Sequence, residues 1–95
     1  MGFAMTEVTL TITNQVGLHA RPAAAFYKKS REFKSKITIQ NLSRPESKEV
    51  PLSPFYLLQL GVAPGHDVRV RADGEDEQAA IAALTQLVEE NFGET

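Results

Sequence analysis

From Glu7 to Thr13 the residues alternate without exception, with Val8, Leu10 and Ile12 on one face and Thr9, Thr11 and Thr13 on the other. A period of two is the mark of a half-buried strand. The rest of the chain follows from asking what covers its apolar face. Ala23, Phe26, Tyr27, Ser30 and Phe33 recur every three or four residues, which predicts a helix from about Ala20 to Phe33 with one face suited to a sheet. Lys28, Lys29, Arg31 and Lys34 fall in its C-terminal half, where the helix dipole favours cations. Alternation returns over Lys36 to Gln40, with Ile37 and Ile39 inward.

Asn41 to Lys48 carries Ser43, Pro45 and Ser47 and reads as a loop. A third short strand is expected over Lys48 to Leu52, confined to an edge or a strand end by Pro51. Ser53 and Pro54 then suit the cap and first turn of a short helix reaching Leu60. After the turn Gly61 to Gly65, Asp67 to Ala72 alternates with Val68 and Val70 inward. A last helix is expected from about Asp76 to Asn91 on the stripe Ala80, Ile81, Leu84, Leu87 and Val88, with Gly93 as its stop. The order βαββαβα predicts an α+β fold, a two-layer open-faced sandwich whose four-stranded, mainly antiparallel sheet carries three helices on one face.

Ninety-five residues make one domain, 1–95, with room for a single modest core. Met5 reads as the natural start, so residues 1–5 are expected to be unstructured or appended ahead of the fold. Cysteine is absent, which excludes disulfides, thiol chemistry and Cys-based metal sites. No apolar run approaches the roughly 18 to 20 residues of a membrane span, and the first residues lack the basic start and hydrophobic stretch of a signal peptide. The expected location is the cytoplasm.

The net charge of −2 hides a segregation: no acid lies between Glu7 and Glu32, while Arg21, Lys28, Lys29 and Arg31 all do. Asp73, Glu75, Asp76 and Glu77 cluster where the last helix opens, and there they would complement its dipole. A mildly acidic chain with one short basic patch is a poor nucleic-acid binder. An acidic protein or a phosphate is the better match.

Chemistry concentrates in Gly17-Leu18-His19-Ala20-Arg21-Pro22. Pro22 suits a first helical turn, where its missing N–H has no intrahelical acceptor to serve. A helix therefore starts beside His19, and Arg21 sets a cation at the positive end of its dipole, a misplacement costing roughly 0.3 to 1 kcal/mol. A bound anion would reverse that sign. Outward amides at Ala20 and Arg21, a guanidinium fork and an imidazole could together receive a phosphate, with His19 as a covalent nucleophile. The same residues also fit an ordinary N-terminal turn.

Gly17 to Ala23, Gly-Leu-His-Ala-Arg-Pro-Ala, resembles the active-site signature of the HPr family, the histidine phosphocarriers of the bacterial phosphotransferase system. The resemblance implies that His19 takes a phosphoryl group, on Nδ1, from an upstream phosphoenolpyruvate-dependent phosphotransferase and hands it to sugar-specific acceptors. Arg21 and the amide of Ala20 would steady the group. The chain would be a monomeric carrier intermediate more than a turnover enzyme, with no cofactor and no metal. It implies a partner face built from Ala20, Arg21, Ala24, Lys28 and Arg31 on the first helix with Phe55 and Leu58 on the second. Without the resemblance, Phe55 and Leu58 fit the core equally well.

Ser53 lies where many family members carry a serine phosphorylated by a kinase, although Leu52-Ser53-Pro54 departs from the usual Lys-Ser-Ile/Leu and a plain helix cap explains it too. The loop 41–48 is about three residues longer than is common in the family and is expected to leave the chemistry alone. His66 reads as an ordinary exposed turn residue. A nitrogen-branch carrier acting on regulators, and a regulatory binding module switched at Ser53, are the alternatives.

Overall fold

The computed structural model describes residues 5–93; the expectation for the first residues lies outside them except at Met5, which precedes the first strand in no regular element. The elements are β1 (Thr6–Thr11), α1 (Ala20–Ser30), β2 (Lys36–Asn41), β3 (Val50–Pro51), α2 (Pro54–Gln59), β4 (Asp67–Asp73) and α3 (Glu77–Glu89), followed by a 3-10 turn at Asn91–Gly93. The predicted order βαββαβα is the observed one. The sheet runs β1-β4-β2-β3 with every neighbouring pair antiparallel.

Alternation decides the faces. Leu10, Ile37, Ile39, Val68, Val70 and Ala72, joined by Ile12 just beyond β1, turn inward and meet Phe26 of α1, Leu57 of α2 and Ala80, Leu84 and Val88 of α3 in one core. Phe26 is wholly buried, with its ring 6.0 Å from that of Phe92. Burial of such a side chain contributes about 1.5 to 3 kcal/mol. The opposite face of the sheet is polar and laced across strands. Arg71 of β4 pairs with Glu7 of β1 and with Glu49 ahead of β3, each at 2.9 Å, and Arg69 reaches Gln40 of β2 at 2.7 Å.

The ends of β1, β2, α2 and β4 lie within one or two residues of expectation, and the extents of α1, β3 and α3 differ for local reasons. α1 stops at Ser30 instead of Phe33, because Ser30 Oγ donates to the Tyr27 carbonyl and the amides of Glu32 and Phe33 turn back to Lys29 and Ser30, a tightened last turn. Phe33 stays half-buried regardless. β3 shrinks to two residues at the sheet edge, since Pro51 has no N–H to give a ladder. α3 opens at Glu77 and closes at Glu89, and Asn91 and Phe92 then adopt positive φ, which turns Phe92 down onto Phe26.

Asp76 stands at the N-cap of α3 but makes no capping bond with its side chain. Its carboxylate accepts instead from the Ser35 hydroxyl, the Ser35 amide at 2.9 Å and the Lys34 amide at 2.7 Å, fastening the α1–β2 connection to the start of α3. Glu77 serves the helix start, accepting from the Gly74 amide at 3.1 Å. The Ser35 hydroxyl above all, then the Lys34 amide, holds the Asp76 carboxyl below the ordinary aspartate range. A carboxyl lowered in the fold adds stability above its ordinary value and loses it as pH falls through the folded value. The wild type is therefore expected to melt above Asp76→Asn at pH 7, and the two thermal melts to converge in acid, below the usual aspartate range.

Candidate functional site

Gly17 enters the site with φ +67°, and a Cβ on it would stand 2.2 Å from the Val62 carbonyl oxygen. The Leu18 amide donates to that same oxygen at 3.0 Å, and Asn14 Nδ2 donates to the Gly17 carbonyl at 2.9 Å. Leu18 is buried; the next residue, His19, is exposed. The chain is thus pinned immediately before the histidine emerges. His19 occupies the N-cap of α1 in extended conformation, and its ring makes no capping hydrogen bond. Its carbonyl instead takes the first intrahelical bond, from the Ala23 amide at 2.8 Å.

The amides of the first turn point out of the N-terminal end of α1, as any helix start requires. No acid lies in that turn, and Arg21 is exposed within it, so the end of the helix presents a positive field to whatever occupies it. His19, Ala20 and Arg21 line a shallow open cleft with Gln15, Val16 and Pro64. An anion could enter it from solvent without being buried.

Ala20, Ala24, Lys28 and Arg31 form one exposed stripe along α1, at steps of four, four and three residues. Arg31 is held by Tyr27: its Nη1 donates to the phenol oxygen at 2.7 Å, and its guanidinium lies 5.6 Å from the ring centre. α2 packs beside α1. Leu57 and Leu60 fill the inward positions of α2, so Phe55 and Leu58 are left 64% and 52% exposed. Tyr56 meets Phe55 edge-on at 5.4 Å. Ser53 caps α2, its Oγ accepting from the Tyr56 amide at 3.4 Å. The loop after β2 folds back on the far side of α2, where Arg44, Glu46 and Lys48 face Tyr56, Gln59 and Leu60 across a groove of about 230 Å³.

Two polar residues outside the reading of the motif belong to the setting. Asn14 is buried beneath Gly17. His66, expected to be an exposed turn residue, is half-buried: its Nδ1 accepts from the Ala63 amide at 3.1 Å and lies 3.2 Å from Asn41 Nδ2. The alternation carried the signal for both, because extending the inward rows of β1 and β4 by one step reaches positions 14 and 66.

A family model described as the PTS HPr component phosphorylation site matches residues 6–90. The chain belongs to the HPr family. It is 38% identical over 90 residues to phosphocarrier protein HPr of Xylella fastidiosa, covering 95% of this chain and 98% of that one. It is also 42% identical over 86 residues to a multiphosphoryl transfer protein of Haemophilus influenzae, of which it spans only 17%. The crystal structure of HPr-C-His from Thermoanaerobacter tengcongensis superposes with a TM-score of 0.85 at 42% identity, covering 95% of this chain and 98% of that one. The HPr fold and a phosphocarrier role in the phosphotransferase system follow from membership. No helix among the described residues is long and apolar enough to cross a membrane.

Proposed function

We propose that His19 accepts a phosphoryl group from an upstream phosphoenolpyruvate-dependent phosphotransferase and passes it to sugar-specific acceptors, in the cytoplasm and as a monomer. Nδ1 of the imidazole attacks phosphorus, a nitrogen–phosphorus bond forms as the bond to the donor breaks, and the ring's proton is released. Arg21 and the first-turn amides, Ala20 among them, take up the charge of the three phosphoryl oxygens. The observation that carries this reading is the exposed, non-capping ring of His19 beside a helix end with no acid in its first turn and Arg21 within it. A travelling phosphoramidate needs steadying without a base to activate water, and the shallow cleft supplies that.

Docking falls to the surface around the cleft. The stripe Ala24, Lys28 and Arg31 with Phe55 and Leu58 offers apolar contact rimmed by cations, suited to an acidic partner used by donor and acceptor alike. Ser53 sits at the edge of that face. A phosphate there, placed by a kinase and removed by a phosphatase, would add about −1.5 to −2 charges and repel the same partner.

The test is incubation with phosphoenolpyruvate and a purified upstream phosphotransferase, followed by intact mass, acid treatment and peptide mapping. A single acid-labile phosphate on the peptide holding His19 is the expected result; no uptake beside a carrier that is phosphorylated in the same tube overturns it. Transfer from the loaded chain to sugar-specific rather than nitrogen-type acceptors then assigns the circuit.

A further inference from the structure

The inward rows of three strands all end in polar residues at the same end of the sheet, the end beneath His19. β1 continues to Asn14, β2 finishes in the fully buried Asn41, and β4 is preceded by His66. Val68 pairs with Leu10 and with Asn41, which places these termini side by side. Each would disturb a core, yet together they form a framework for the turn between α2 and β4.

Asn41 is fully engaged in it. Its Nδ2 donates to the Leu60 carbonyl at 3.1 Å and faces His66 Nδ1, while its Oδ1 accepts from the Ser43 amide at 3.0 Å. The Ala63 N–H, 3.1 Å from His66 Nδ1, can only donate. Nδ1 is therefore the acceptor, and the ring proton lies on Nε2. The turn is fixed at its far end as well, where Gly65 donates to the Ile12 carbonyl at 2.7 Å and the Ile12 amide donates to the His66 carbonyl at 2.9 Å.

Between these anchors lies the peptide unit joining Val62 and Ala63. Its N–H is held by the His66 ring, and its C=O holds the Leu18 amide and closes on Gly17. A peptide is planar, with its N–H and C=O on opposite edges, so whatever orients one edge orients the other. We propose that His66 is a positioning residue for His19, acting through the Val62–Ala63 peptide plane that seats Gly17 and Leu18. A residue that merely fastened a turn would affect stability alone. This one is linked, through one rigid plane, to the residue immediately before the acceptor.

The inference rests on His19 as acceptor only for its kinetic arm. Three chains are compared: the wild type, His66→Ala, which removes the acceptor, and His66→Asn, which can restore one near the place of Nδ1. Should His66→Ala fail to fold, His66→Leu, which fills the space without an acceptor, takes its place. Amide exchange followed by NMR is expected to show the protection of Leu18, relative to that of Val70 in the core, falling about tenfold in the chain lacking the acceptor.

In phosphorylation by the upstream enzyme, kcat is expected to fall about tenfold in the same chain while KM changes less than about twofold, the signature of a misplaced acceptor on an intact docking face. His66→Asn is expected to recover both. Unchanged Leu18 protection, unchanged kcat once that protection is lost, or failure of His66→Asn to recover either overturns the proposal. If the wild type takes no phosphate, the acceptor reading falls, and the exchange comparison alone decides whether His66 orients the loop.

Discussion

His19→Ala is expected to lose all acid-labile phosphate and to keep its fold. The two halves of that expectation have separate physical grounds. Fold is kept because the ring is exposed and makes no capping bond, while the carbonyl that closes the first turn onto Ala23 belongs to the backbone and survives any substitution. An exposed change of this kind is worth about 0.5 kcal/mol or less, and for a domain of this size it moves Tm by roughly 4 °C or less.

Phosphate is lost because, among the described residues, no other nucleophile stands in the cleft. Arg21 presents a guanidinium fork of N–H donors with no acceptor lone pair to attack phosphorus. The only other histidine, His66, has its Nδ1 engaged by the Ala63 amide. Phosphoryl uptake by the variant should therefore fall by a factor of about 1,000 or more, below detection by intact mass. An acid-labile phosphate persisting in folded His19→Ala would sink the acceptor assignment and direct attention to His66.

The site's chemical groups could be read from the chain because they are contiguous: glycine, histidine, arginine and proline fall within six residues, and a helix start is a local event governed by local residues. The fold was legible for a related reason. The inward rows of β1, β2 and β4 and the stripe of α3 repeat at fixed periods, and a period names its own buried face. Where competing local bonds or a missing donor cut a period short, the boundaries moved, at Ser30 by a hydroxyl bonding backward and at Pro51 by an absent amide.

Exposure on α2 was a different kind of problem. A spacing of three puts Phe55 and Leu58 on one face of a helix without saying which face is inward, and the structure gives the inward positions to Leu57 and Leu60. The setting of the site was harder still. Val62 lies more than 40 residues beyond Gly17, and no local pattern joins them. The polar residues at the ends of the inward rows were the available sign, because a strand that keeps its phase into an asparagine or histidine places a hydrogen-bonding group where only a specific partner can satisfy it.

Gly17→Ala is expected to damage both stability and phosphate uptake, and Gly65→Ala is the control that separates the reasons. Both positions have positive φ, at +67° and +90°, so alanine at either meets a backbone strain of about 1 to 3 kcal/mol. At Gly65 that is the whole effect, since no atom of the described residues lies within 4 Å of the new Cβ. At Gly17 the Cβ would stand 2.2 Å from the Val62 oxygen, a backbone atom that cannot swing aside as a side chain can. One of the two segments must move, and whichever moves breaks the bond from the Leu18 amide. With that bond, worth about 1 kcal/mol, added to the strain, Gly17→Ala should lose roughly 2 to 4 kcal/mol, a fall in Tm on the order of 10 to 20 °C. Its phosphorylation rate, measured well below the new Tm, should drop at least about tenfold because the segment carrying His19 is no longer seated. Gly65→Ala should melt roughly 5 to 15 °C low and take phosphate at close to the normal rate. Equal losses of rate in the two variants would show that general loosening, and not the seat of Gly17 on Val62, governs the reactivity of His19.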